Sequence, residues 1–407
     1  MFARVNPAFR LLFAGQAISA LGDRLVPVSL AFAVLDLTGS VTDLGIVFGA
    51  QAAALVLFVL FGGVWADRLP RQRVMLASDA VRCVAQGASA ALLLSGSAHV
   101  WQLAGLQALY GAAAGFFGPA ATALVPQTMD AADLQQANAL LGLSGNAAAI
   151  LGPALAGVIV ATLGPGWALA GDAGTFAVSA TCLSLMRVTP LLAAARASTL
   201  AELQAGWRAF RSRTWLWVSV LYFTLFLALA YSPLQVLGPQ VARSSLGGPG
   251  AWAAISTALG IGAAAGGALG LRWRPRHPLR AAFIAFLIAG PLLFALLAAH
   301  APLALIVATA LVDGASGTLF NAFWFTALQH EVPATELSRV SSWDYLGSLA
   351  LQPLGLAASG PVAAAVGVST TLYGAGGIFL VLLIAVLAVP AVRDYTAGTH
   401  ARAVSSA

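Results

Sequence analysis

Residues 62–73 read GGVWADRLPRQR. Gly62 and Gly63 let a helix pack closely on a neighbour, Asp67 and Arg68 give it a polar end, and Arg71 and Arg73 follow in a short basic turn. On either side the chain is apolar, over roughly 41–66 before the turn and 74–96 after it. Each run exceeds the ~20 residues a helix needs to cross the hydrocarbon core. Arginines between two such runs mark a loop at a membrane surface.

The pattern repeats along the chain. Counting apolar runs predicts twelve spans, at roughly 10–34, 41–66, 74–96, 100–124, 135–163, 166–187, 214–240, 250–271, 280–299, 301–327, 338–366 and 369–392. Of the 407 residues 60% are hydrophobic and 8% charged, where a soluble domain carries roughly a quarter charged. All 20 basic residues are arginine, and with the N-terminus inside, 17 of them fall in cytoplasmic segments. Arg243 falls outside, and Arg24 and Arg82 lie within spans. One missed or surplus helix would scramble that bias downstream, so the count predicts both termini in the cytoplasm. The basic balance serves orientation, and no nucleic-acid partner is expected. The first apolar run is too long for a cleavable signal and reads as a retained span.

The expected organisation is all-α and integral to the membrane. Residues 1–187 form one six-helix bundle, 188–213 a cytoplasmic linker, 214–393 a second bundle and 394–407 a tail. A shift of 203 residues sets Gly111 on Gly314, Asp133-Leu134 on Glu336-Leu337, Gly152 on Gly355 and Gly157 on Gly360. A common offset of half the chain predicts a parallel repeat of the two bundles. In the linker, Thr199 and Glu202 have capping-box spacing, and Leu200, Leu203, Trp207 and Phe210 recur at helical spacing with Arg208 and Arg211 turned away. That pattern suits a helix lying on the cytoplasmic leaflet; the alternative is a tether with chance periodicity.

Gly63, Asp67, Arg68 and Arg71 resemble the G-x-x-x-D-R-x-x-R signature of the major facilitator superfamily, in the same loop after the second span. The resemblance implies a charge latch that favours one orientation of the two halves. The corresponding second-half loop, GGALGLRWRPRH, has no acid, so the latch is asymmetric. In the fifth span Gly152, Pro153 and Gly157 resemble the proline–glycine motif of exporters in this superfamily, with Ala148 and Ala156 where the fuller motif has glycine. Gln107 stands in the fourth span where many drug antiporters have Arg. The opening, the latch and the fourth-to-fifth-span stretch together resemble the macrolide-efflux and enterobactin-exporter-like branch of proton-coupled drug antiporters. The resemblance implies a bacterial plasma-membrane exporter coupled to protons, with its first, fourth, seventh and tenth spans around a central cavity.

A charge inside a bilayer costs roughly 2.5–3.5 kcal/mol on the insertion scale, so each one needs a partner, water or a function. Gln16, Ser19, Asp23 and Pro27 share a face of the first span, and Asp23 is the first choice for proton coupling, with Asp313 and Asp344 behind it. A permanent ion pair is the alternative for Asp23. Asp79 and Arg82, at i and i+3 on a face with Gln86 and Ser89, read as a structural ion pair. Substrate-cavity expectations fall on Gln16, Ser19 and Gln107, on Thr224, Tyr231 and Gln235, and on Ser316, Phe320 and Trp324. Such a mostly apolar lining suits an amphipathic organic molecule. Each stripe is also compatible with interhelical packing, and Asp172 has no assigned partner.

The sequence contains no phosphate-cradling G-x-x-x-x-G-K-[ST] loop, and Cys83 and Cys182 have neither disulfide nor metal spacing. No cofactor, metal or enzymatic chemistry is expected, and a monomer suffices. The reading is a secondary transporter, most simply a proton-coupled exporter. An importer or lipid translocator of the same fold is one alternative; a membrane-embedded enzyme or non-transporting scaffold is another.

Overall fold

The computed structural model describes residues 6–129, 133–188 and 199–396, and every regular element among them is helical. The first half holds α1 (Pro7–Asp23), α2 (Val26–Thr38), α3 (Val41–Arg68), α4 (Arg71–Leu94), α5 (Val100–Leu124), α6 (Leu134–Thr162) and α7 (Pro165–Leu185). Helix α8 (Thr199–Arg211) falls in the linker. Then come α9 (Thr214–Phe226), α10 (Ser232–Val241), α11 (Pro249–Arg272), α12 (Pro278–Ala298) and α13 (Leu303–Glu331). The last are α14 (Ala334–Leu349), α15 (Gln352–Val366), α16 (Val368–Ala388) and the short α17 (Pro390–Arg393).

Three expected spans are interrupted, each beside a proline. The first breaks at Arg24–Leu25 between α1 and α2, where Pro27 has no N–H to give the preceding turn. The seventh passes through a π-helical turn, Leu227–Tyr231, just before Pro233, and Ser232 donates to the Leu227 carbonyl at 2.6 Å. The eleventh breaks between α14 and α15 ahead of Pro353.

Eleven helical segments among the described residues are long and apolar enough to cross a membrane. Helix α4 is not one of them, although its 24 residues give it the length. It carries Asp79, Arg82 and Gln86, all buried, while Val84 is 66% exposed on its other side. Its polar face is covered by α5 and α7, so composition averaged around the helix understates how apolar its outer face is.

The chain forms two compact units. Unit 1 holds residues 1–194 with 242–257 and 356–361; unit 2 holds 195–241, 258–355 and 362–407. In unit 1, α5 lies along α3 with Gly111 against the Gln51 carbonyl, so close that a Cβ would overlap it. In unit 2, Gly314 of α13 meets the Leu259 carbonyl of α11 in the same way. Small residues let these backbones touch. Within unit 1, Arg243 pairs with Asp36 at the end of α2 at 3.3 Å.

Helix α8 forms where the linker periodicity puts it, and it packs on α14. Trp207 meets Trp343 with ring centroids 5.0 Å apart and stacks on the buried Phe210. Arg213 pairs with Glu336 at 3.2 Å. The side chains of Thr199, Leu200, Glu202 and Leu203 lie outside the described residues, as does the capping box they would form.

Candidate functional site

The densest buried polar group lies in unit 1, where α1, α4, α5 and α7 converge. Asp79, Arg82 and Gln86 stand at i, i+3 and i+7 on α4, so one helical face presents all three. Gln107 and Tyr110 do the same for α5, and Asp172, Thr175 and Phe176 for α7.

Arg82 is the hub. Its guanidinium bonds the Asp79 carboxylate and lies 3.6 Å from Oδ1 of Asp23. The rings of Phe117 and Phe176 sandwich it, at 4.3 and 4.2 Å from their centroids. A planar, weakly hydrated cation is suited to that slot. Tyr110 donates its hydroxyl hydrogen bond to Asp23. Next to this triad, Gln107 donates to Gln86 at 2.9 Å, and Gln86 donates to Asp172 at 2.8 Å. Thr175 also reaches the Asp172 carboxylate, at 3.4 Å. Two carboxylates therefore face one arginine, and a third, Asp172, joins the network through Gln86. Asp79 and Asp172 are fully buried, whereas the Asp23 side chain is 37% exposed.

Close backbone approach makes the group possible. A Cβ on Gly22 would collide with Asp172 and Thr175, and one on Gly152 with Arg24. With both glycines bare, α1 is pressed against α7 and against α6.

A second polar group lies in unit 2. Oδ1 of Asp313 and the hydroxyl of Tyr222 are both buried without a protein hydrogen-bond partner. Trp324 donates its indole N–H to Asp344 at 3.0 Å.

Several expected cavity residues make contacts within their own unit. Ser19 is buried on the α1 face, with Gly15 and Gly22, that packs on α7. Gln107 is fully buried inside the polar group, where its Nε2 donates to Gln86 while its Oε1 has no protein partner. Phe320 and Trp324 belong to a packed aromatic core: Phe320 lies 4.7 Å from Phe223 and 5.1 Å from Phe283, and stacks on Trp324. Aromatic rings gain more from one another than from an open cavity. Ser316 donates to the Ala285 and Val312 carbonyls at 2.9 Å and faces α12. Thr224 donates to the Gly347 carbonyl of α14 at 2.8 Å. Gln16, Tyr231 and Gln235 remain half-buried, and Nε2 of Gln16 has no protein partner.

In the loop signature, the side chains of Gly63, Asp67 and Arg68 lie outside the described residues. Arg71 donates to the Ala123 carbonyl at 3.0 Å, at the C-terminal end of α5. Gln72 donates to the carbonyls of Leu183 and Met186 at the end of α7, at 2.6 and 2.7 Å. Both donate to carbonyls at helix ends, where backbone donors run short. Gly152, Pro153 and Gly157 are buried in α6, and Gly157 packs against Ala253.

The sequence matches the Major Facilitator Superfamily over residues 12–347. It is 27% identical to the multidrug efflux pump Tap of Mycolicibacterium fortuitum over 404 residues, covering 96% of this chain and 97% of that one. It is 29% identical to the enterobactin exporter EntS of Citrobacter koseri over 197 residues, 46% of this chain and 45% of the exporter. In fold it is similar to the nucleoside transporter NupG, with a TM-score of 0.75 at 15% identity over 96% of this chain and all of that one. Helices enough for a multi-pass protein, this fold and a match across most of the length lead to one conclusion: the chain is a membrane transporter belonging to the major facilitator superfamily.

Proposed function

We propose that the protein is a proton-coupled exporter of a small amphipathic organic molecule in a bacterial plasma membrane, working by alternating access. The observation that carries this reading is the polar group in which Asp23 and Asp79 face Arg82 and Asp172 joins through Gln86. Fully ionised, it would hold two uncompensated negative charges among apolar helices, at a cost of several kcal/mol. Binding protons removes that cost, and Asp23, the least buried acid, is where they enter and leave. Exporting relatives support the direction of transport.

In this reading α4 is the twelfth span, and two six-helix bundles lie in parallel repeat with cytoplasmic termini. The like contacts of Gly111 and Gly314 support the repeat. Asp79–Arg82 serves as the fixed pair, and Asp313 with Tyr222 and Asp344 with Trp324 are secondary polar sites. Arg71 and the signature around it form the cytoplasmic latch. The protein works as a monomer, without a cofactor.

Inverted membrane vesicles containing the protein test this reading. Lipophilic dye is expected to accumulate when respiration acidifies the vesicle interior, and an uncoupler is expected to abolish accumulation. Accumulation indifferent to the uncoupler would overturn proton coupling; movement only in the opposite direction would favour import.

A further inference from the structure

Unit 2 carries a cleft of about 560 Å³, remote in sequence from the polar group of unit 1. Helix α13 forms its floor, α11 and α12 its walls, and residues 273–280 its mouth. Leu269, Ile284 and Val312 line it and are 50%, 39% and 42% exposed. The one hydroxyl in its floor, Ser316, is already committed to two backbone carbonyls. What remains is an apolar trough.

The mouth is cationic. Arg276 and Arg280 border it and are exposed, and among the described residues neither takes part in a salt bridge. Of the neighbouring groups, the His277 ring lies 3.2 Å from the Tyr395 carbonyl. Asp394 is the acid nearby; hydrogen bonds from Arg393, at 2.8 and 2.9 Å, hold its carboxyl below the ordinary range, with smaller contributions from the charges of His277 and Arg280. Trp273, an amphipathic ring of the kind that anchors at the bilayer interface, completes the rim.

We propose that this cleft binds an anionic phospholipid, its phosphate held by Arg276 and Arg280 and the upper part of an acyl chain lying along Leu269, Ile284 and Val312. The order of the groups matches a lipid in its leaflet. Ile284 lies one helical turn, about 6 Å, deeper along α12 than Arg280, so charge meets headgroup and apolar wall meets chain. Basic pockets between helices on the cytoplasmic side recognise anionic headgroups by this arrangement. The site rests on the membrane topology proposed above, which puts residues 272–280 at the cytoplasmic surface.

Lipid retention by the purified full-length protein in detergent, read by native mass spectrometry, tests it without reference to transport. Wild type is expected to retain phosphatidylglycerol in preference to phosphatidylcholine. Arg276→Gln with Arg280→Gln is expected to lower phosphatidylglycerol affinity about fivefold per arginine. Ala281→Trp, which fills the trough, is expected to lower retention of both lipids. Equal retention of the two lipids by wild type would overturn the proposal. So would an equal loss from Arg208→Gln with Arg211→Gln on α8, which would reveal mere surface attraction. Displacement of phosphatidylglycerol by inorganic phosphate at matching concentration would show an anion site with no role for the chain, and would also overturn it. A failure of dye transport with lipid preference intact counts against the proposed function and leaves this site standing.

Discussion

Gly22 and Asp172 share one packing space: the Asp172 carboxylate occupies the volume a Cβ on residue 22 would fill. Gly22 precedes the partly exposed acid, Asp23, and Asp172 is fully buried, so this contact brings two acids of different helices into one group.

Gly22→Ala is therefore expected to destabilise the protein by about 1–3 kcal/mol through overpacking, despite alanine's better helix propensity. Gly174→Ala, with nothing within 4 Å of the new methyl, is the matched control and should melt no lower than wild type. Thermal unfolding in detergent reads both.

Arg82→Gln leaves the buried Asp79 and the partly exposed Asp23 without their cation, and breaking a buried pair such as Asp79–Arg82 costs about 3–5 kcal/mol. Arg82→Lys should recover only part of this, because an ammonium cannot fill the slot between Phe117 and Phe176 as a flat guanidinium does. If both variants unfold with the wild-type midpoint, the hub is misassigned.

Gln72→Ala strips donors from the Leu183 and Met186 carbonyls and should lower stability by about 1–3 kcal/mol. The same change should leave the proton stoichiometry of transport untouched, which parallel flux measurements would show.

Arg243→Gln removes the pair with Asp36, whose side chains are 37% and 52% exposed. Exposed pairs contribute about 0–1 kcal/mol, so the unfolding midpoint should hardly move. A large drop would mean that the pair is structural to a degree its exposure does not suggest.

Much of the fold was legible because lipid imposes a length and a charge bias that survive in plain sequence. The runs of ~20 apolar residues and the arginine turns locate nearly every helix. Periodicity also put Asp79, Arg82 and Gln86 on one face. The partners across helices were not legible. Tyr110 and Asp172 meet Asp23 and Gln86 only after α5 and α7 pack on α4, and no local spacing encodes those distances. The single available signal was Gln107 and Tyr110 three residues apart, a polar pair on one face of an apolar helix. The ring partners of Phe320 were not legible for a related reason: a stripe of aromatic residues reads alike whether it faces a cavity or other rings.

If the acids around Arg82 carry the protons that drive export, simultaneous recording of dye and proton flux in proteoliposomes under an imposed pH gradient will show it. Wild type should move the two in opposite directions in fixed proportion, and Asp23→Asn and Asp172→Asn should each keep dye binding while abolishing or reducing the accompanying proton movement. Undiminished proton movement in both variants would contradict the account.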